Sequence, residues 1–137
     1  MSATFSVACD PDRDLIRITM AGLFTSSDIA AFLAARREAH AQLRCGPNQH
    51  LTLNDLRGMK IQPQQAVAAF QHMLADPAYR SRRLAFIVAP TLARGQLARA
   101  LSGRADAALF EDPTEAEAWL LGADETEMPL RRAAGRR

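Results

Sequence analysis

The chain has 137 residues, enough for one domain whose core needs neither disulfides nor a structural metal. Apolar residues make up 48% and charged residues 23%, and a net charge of +2 gives no indication of nucleic acid or an anionic membrane as partner. Two cysteines, Cys9 and Cys45, make no disulfide framework; no apolar run reaches the ~20 residues of a membrane span, and the N-terminus lacks the regions of a signal peptide, so a soluble cytoplasmic protein is expected.

Phe5, Val7 and Cys9 alternate with small or polar residues, as do Ile16, Ile18 and Met20, and the turn-forming Asp10-Pro11-Asp12-Arg13-Asp14 lies between them. This reads as an antiparallel hairpin with one face open to water. Thr25-Ser26-Ser27-Asp28 opens a helix with capping oxygens. Its stripe is Ile29, Phe32, Leu33, Arg36, His40 and Leu43, and Gly46-Pro47 stops it. Leu51 to Asp55 reads as a short strand. A second helix starts at Pro63 with Val67, Phe70, Met73 and Leu74 inward, and Asp76-Pro77 predicts a short extra turn. Leu84 to Val88 is a continuous apolar run, as for a strand covered on both faces. Pro90-Thr91 opens a third helix, Asp106 to Phe110 is a last strand, and Asp112-Pro113-Thr114-Glu115 starts a final helix that Gly122 ends. The domain is therefore expected over 1–122, with a charged, mobile tail over 123–137. The order β-β-α-β-α-β-α-β-α predicts an α/β fold: a mixed, mainly parallel sheet opened by an antiparallel hairpin.

Several segments in this order resemble the anti-sigma-factor-antagonist (STAS) family, and within it the SpoIIAA-like branch that is often grouped with the CRAL-TRIO lipid-transfer domains. They are Met20-Ala21-Gly22-Leu23-Phe24-Thr25, Leu53-Asn54-Asp55-Leu56-Arg57-Gly58, Leu84 to Val88, and Phe110 with Pro113 to Leu120, so the resemblance spans about residues 5–121. It implies a STAS-like fold. In signalling members the strand-ending Asp-Leu leads into a segment with adjacent serines, one of them phosphorylated by a partner kinase. Here that segment, Gly58 to Gln65, carries no hydroxyl, so the resemblance does not extend to a phosphate switch. The grouping with lipid-transfer domains implies an apolar ligand.

No catalytic or cofactor motif is present. His40, His50 and His72 make no metal-binding pair, and there is no nucleophile elbow, dinucleotide fingerprint or phosphate-binding loop. Arg80, Arg82 and Arg83 beside Tyr79 read as a solvated face, not as a nucleic-acid surface. No cofactor and no metal are expected. In an open parallel sheet ligands bind beyond the carboxyl ends of the strands, which here should gather Asp55, Arg57, Lys60, Thr91, Arg94 and Asp112. The free amides opening the third helix, with Arg57, Lys60 and Arg94, would favour an anionic group of a ligand or partner there. The expected function is a non-catalytic, regulatory interaction or ligand-binding module. The alternative is carriage or sensing of a lipid-like or other small apolar ligand, which requires a cavity beneath the first two helices, near Phe32, Leu33, Phe70 and Met73. An enzyme would have to start from Asp55 near Lys60, with no further group to complete it. The edge strand of the hairpin invites pairing into a homodimer.

Overall fold

The computed structural model describes residues 2–122, so the tail expected over 123–137 lies outside the described residues. Strand β1 (Thr4–Asp10) pairs antiparallel with β2 (Leu15–Gly22), Phe5 opposite Met20 and Val7 opposite Ile18, as the alternation predicts. In the turn between them Asp14 takes a φ of +50°, and its carboxylate accepts from the Arg44 and Cys45 amides at 2.8 and 3.0 Å. The Arg44 amide, ahead of the one at Cys45, holds the Asp14 carboxyl below the usual carboxylate range.

Helix α1 (Ser26–His40) begins with a complete capping box between Thr25 and Asp28. It ends at His40, short of Leu43, and hydrogen-bonded turns at Gln42 and Leu43 carry the chain to the Asp14 carboxylate. Strand β3 (Leu51–Met59) lies parallel to β2 and runs four residues past the expected end at Asp55. The extension pairs Gly58 with Ala21 across a register shift, where a Cβ on Gly58 would come within 2.7 Å of the Ala21 Cβ. Next come α2 (Gln64–Ala75), the 3-10 turn Pro77–Tyr79 capped by the Asp76 carboxylate, β4 (Arg83–Ile87), α3 (Leu92–Ala100), β5 (Ala107–Phe110) and α4 (Pro113–Gly122). Strands β2 to β5 are parallel neighbours in sequence order.

Each crossover to an adjacent parallel strand must be right-handed, so α1, α2 and α3 fall on one face of the sheet. Helix α4 takes the other face, where Ala116 and Leu120 pack against Leu15, Leu51, Leu53, Ala85 and Ile87. On the three-helix face Ile16, Ile18 and Met20 pack with Phe24 and Phe32, and Leu84, Phe86 and Val88 pack with Leu101 and Leu97. Strand β3 divides differently. It gives Leu51 and Leu53 to α4 but presents Thr52 and Asn54 to the three helices, and all four are buried. Helix α4 packs closely along β3, β4 and β5, and α1 along β1, whereas α2 and α3 stand further from the strands.

Candidate functional site

That looser packing leaves a cavity of about 150 Å³ between the sheet and α1, α2 and α3. Ile18 and Met20 of β2, Thr52, Asn54 and Leu56 of β3, and Leu84, Phe86 and Val88 of β4 form its floor. Phe32 of α1, Val67, Phe70 and Met73 of α2 and Leu97 of α3 form its roof. Phe32, Phe70 and Met73 thus surround a space, as carriage requires, while Leu33 packs into the neighbouring apolar cluster. Of the stripe expected on α2, none is fully buried: Val67, Phe70, Met73 and Leu74 are half-buried because they face the cavity, not a closed core.

The end of the cavity near the start of β3 and β4 is polar. Thr52 Oγ1 and Ser81 Oγ lie 2.6 Å apart, and Ser81 Oγ is 3.2 Å from His50 Nε2. His50 meets His40 edge-to-face at 4.5 Å, and His40 meets Tyr79 in the same way at 4.8 Å. The Arg36 guanidinium lies over the Tyr79 ring, 4.1 Å from its centroid. Burial, reinforced by the charges of His50 and Arg36, pushes His40 down to about 4, and burial also lowers His50. Arg36 is itself drawn below its ordinary value by desolvation. Midway along the floor Asn54 makes one hydrogen bond, its amide nitrogen donating to the Ala85 carbonyl at 3.4 Å.

The other end opens at the carboxyl edge of the sheet. Lys60, Thr91 and Arg94, three of the six residues expected at that edge, line the cavity there. Arg94 is 3.9 Å from the Glu111 carboxylate. The remaining three are otherwise engaged. Arg57 donates to both Asp55 oxygens at 3.0 and 2.6 Å, and this bonding holds Asp55 below the usual carboxylate range. Strand alternation sets Asp55 opposite in sense to Asn54 and Leu56, toward the face of α4. The Asp112 carboxylate accepts from the Thr114 amide at 3.0 Å and caps α4. Gln62, buried at the mouth, ties the loop down. Its Nε2 donates to the Gly22 and Lys60 carbonyls at 2.9 and 2.6 Å, and its Oε1 accepts from the Phe24 amide at 3.0 Å.

The basic segment before β4 is only partly solvated. Arg80 pairs with Asp106 at 3.3 Å, and Arg83 lies near the Trp119 ring, while Tyr79 and Ser81 enter the cavity wall. Sequence reasoning passed over Arg36, His40, Tyr79, Thr52, Asn54 and Ser81 as site residues. The signal for two of them was available: Arg36 and His40, four apart, interrupt an otherwise apolar helical stripe.

Ser81 beside His50 is the start of a nucleophile and base, but among the described residues no carboxylate accepts a hydrogen bond from His50. The carboxylate of Asp14 is taken by the Arg44 and Cys45 amides. Both thiols are pushed up, by burial first and by Asp14 next, which keeps them protonated. No group of three or more potential metal ligands occurs among the described residues, and no described helix is long and apolar enough to cross a membrane.

A solved structure matches over most of both chains. It is an uncharacterised protein of the DUF3478 family from Shewanella loihica PV-4, described as having a SpoIIAA-like fold. The TM-score is 0.69 and the identity 15%, with 88% of this chain and 96% of that one covered. The fold is SpoIIAA-like. No family model matches the sequence, and no curated protein does so significantly. At 15% identity the likeness concerns the SpoIIAA-like architecture alone, and the cavity has to be read from this chain's own residues.

Proposed function

We propose that this SpoIIAA-like domain is a non-catalytic module that binds a small apolar ligand in the cavity between its sheet and α1–α3. One observation carries the reading: the three-helix face encloses a space of about 150 Å³ where a domain of this size ordinarily closes its core. A cavity of that order lined by apolar side chains admits a molecule the size of benzene, which sets the scale of the ligand. Lys60, Thr91 and Arg94 rim the mouth, where they would meet the ligand as it enters or a partner protein that reads the loaded state. Two unpaired cysteines suit a reducing, cytoplasmic setting.

Native mass spectrometry of the purified chain, compared with the denatured chain, tests this. A mass excess that is lost on denaturation, with the released compound built on a small apolar body of the order of benzene, is the expected result. A bare chain that also gains no mass when incubated with 2-phenylethanol would remove the ligand-binding reading and leave a protein-interaction surface as the alternative.

A further inference from the structure

Among the described residues, Arg36 is a guanidinium of the polar end without a counter-charge. Its Nε is buried without a hydrogen-bond partner, and among the described residues no carboxylate lies within ion-pair distance; its guanidinium stacks on the Tyr79 ring. The other arginines on that side are provided for: Arg80 and Arg104 both reach the Asp106 carboxylate, at 3.3 and 2.9 Å. The nearest carboxylate acting on Arg36, that of Asp76, caps the Ala78 amide at 3.0 Å. A half-buried cation costs stability unless it is paired, so an unpaired one at the end of an apolar cavity marks a place for an anion. The same end of the wall carries the Tyr79 hydroxyl and the mutually bonded Ser81–Thr52 pair, which has at most one hydroxyl proton left to donate to that anion. A single free guanidinium balances one negative charge, which fits a carboxylate better than a phosphate dianion.

The remainder of the wall describes the body that carries this charge. Phe32, Phe70 and Phe86 with Met20, Met59 and Met73 surround the space, and aromatic edges and thioethers both favour an aromatic ring. We infer that the cavity is a site for a small aromatic monocarboxylate, its carboxylate on Arg36 at the polar end and its ring among the phenylalanines and methionines. This rests on the ligand-binding reading above and adds the charge and class of the ligand.

The test compares phenylacetate with 2-phenylethanol, its neutral counterpart, by titration calorimetry on the full chain and on Arg36→Met and Arg36→Lys. A charge-assisted hydrogen bond predicts that the native protein binds the acid about 10- to 100-fold more tightly than the alcohol. In Arg36→Met that preference disappears while the alcohol still binds, and in Arg36→Lys part of it returns. If native protein binds the alcohol as tightly as the acid, the carboxylate site is overturned and the apolar cavity stands. If Arg36→Met keeps the preference, Arg36 is not the anchor. Binding of neither probe overturns both the site and the reading on which it rests.

Discussion

Asn54→Leu separates a cavity kept open for a ligand from a core that is merely imperfect. Asn54 is 7% exposed, and its single hydrogen bond is at the long end of the useful range. Losing that bond costs roughly 0.5 kcal/mol. Against this, the buried amide's desolvation is relieved and a leucine side chain gains apolar contact with Phe86 and Leu56 across the vacant space, together worth about 2–3 kcal/mol. The net is a stabilisation of about 2 kcal/mol, or roughly 6–10 °C in Tm for a domain of this size. The leucine occupies the middle of the floor, so affinity for 2-phenylethanol should fall at least about tenfold, a loss of ~1.4 kcal/mol. Thermal and urea unfolding followed by circular dichroism, with calorimetric titration of the probe, read both quantities. A loss of more than about 1 kcal/mol would refute the reasoning, since it would assign the amide a structural bond that outweighs burial. So would a stabilised variant that still binds the probe as native protein does.

Other expectations follow from the same geometry. His40 and His50 are buried neutral with lowered pKa values, so the unfolded chain takes up more protons than the folded one as pH falls below about 6.5. Stability should therefore decline between about pH 6.5 and the folded-state value of about 4 for His40, and unfolding curves of His40→Phe should show a flatter dependence over that window. Leu120→Ala, at a fully buried position on the α4 face, should cost about 2–5 kcal/mol in urea unfolding while leaving probe affinity unchanged, because the cavity lies across the sheet. A fluorophosphonate reagent should leave Ser81 unmodified by peptide mass spectrometry; stoichiometric labelling would bring back an enzyme built on Ser81 and His50. Gly22→Ala should lower Tm, since Gly22 sits at φ +88° and a Cβ there would collide with the Ser2 carbonyl.

The architecture was legible because its signals are local. Alternation in residues 5–9 and 16–20, the capping box at Thr25 and the Asp-Pro starts each act within a few positions, and together they fix the β-β-α-β-α-β-α-β-α order. The carboxyl edge was half legible. Topology brings Lys60, Thr91 and Arg94 together, but the pairing of Asp55 with Arg57 depends on side-chain direction, which strand length alone does not reveal. The polar end of the cavity was not legible. Thr52 and Asn54 alternate with Leu51 and Leu53, the pattern of a strand with a wet face, yet helices cover both faces of β3. Ser81 meets Thr52 and His50 only through the parallel register that sets Leu51 beside Arg83, about thirty positions away. Arg36 carries the most telling feature, a missing partner among the described residues, and that depends on contacts far apart in the sequence.

The most direct test of the cavity uses three of the five methionines, Met20, Met59 and Met73, as reporters. With methyl-13C methionine in the full chain, titration with 2-phenylethanol places an aromatic ring near whichever methyl groups line its site. Met20, Met59 and Met73 line the cavity, so their methyl resonances should shift together and saturate with one affinity. No shift at any of the three up to millimolar probe, or shifts at the three that saturate with unrelated affinities, would contradict the account.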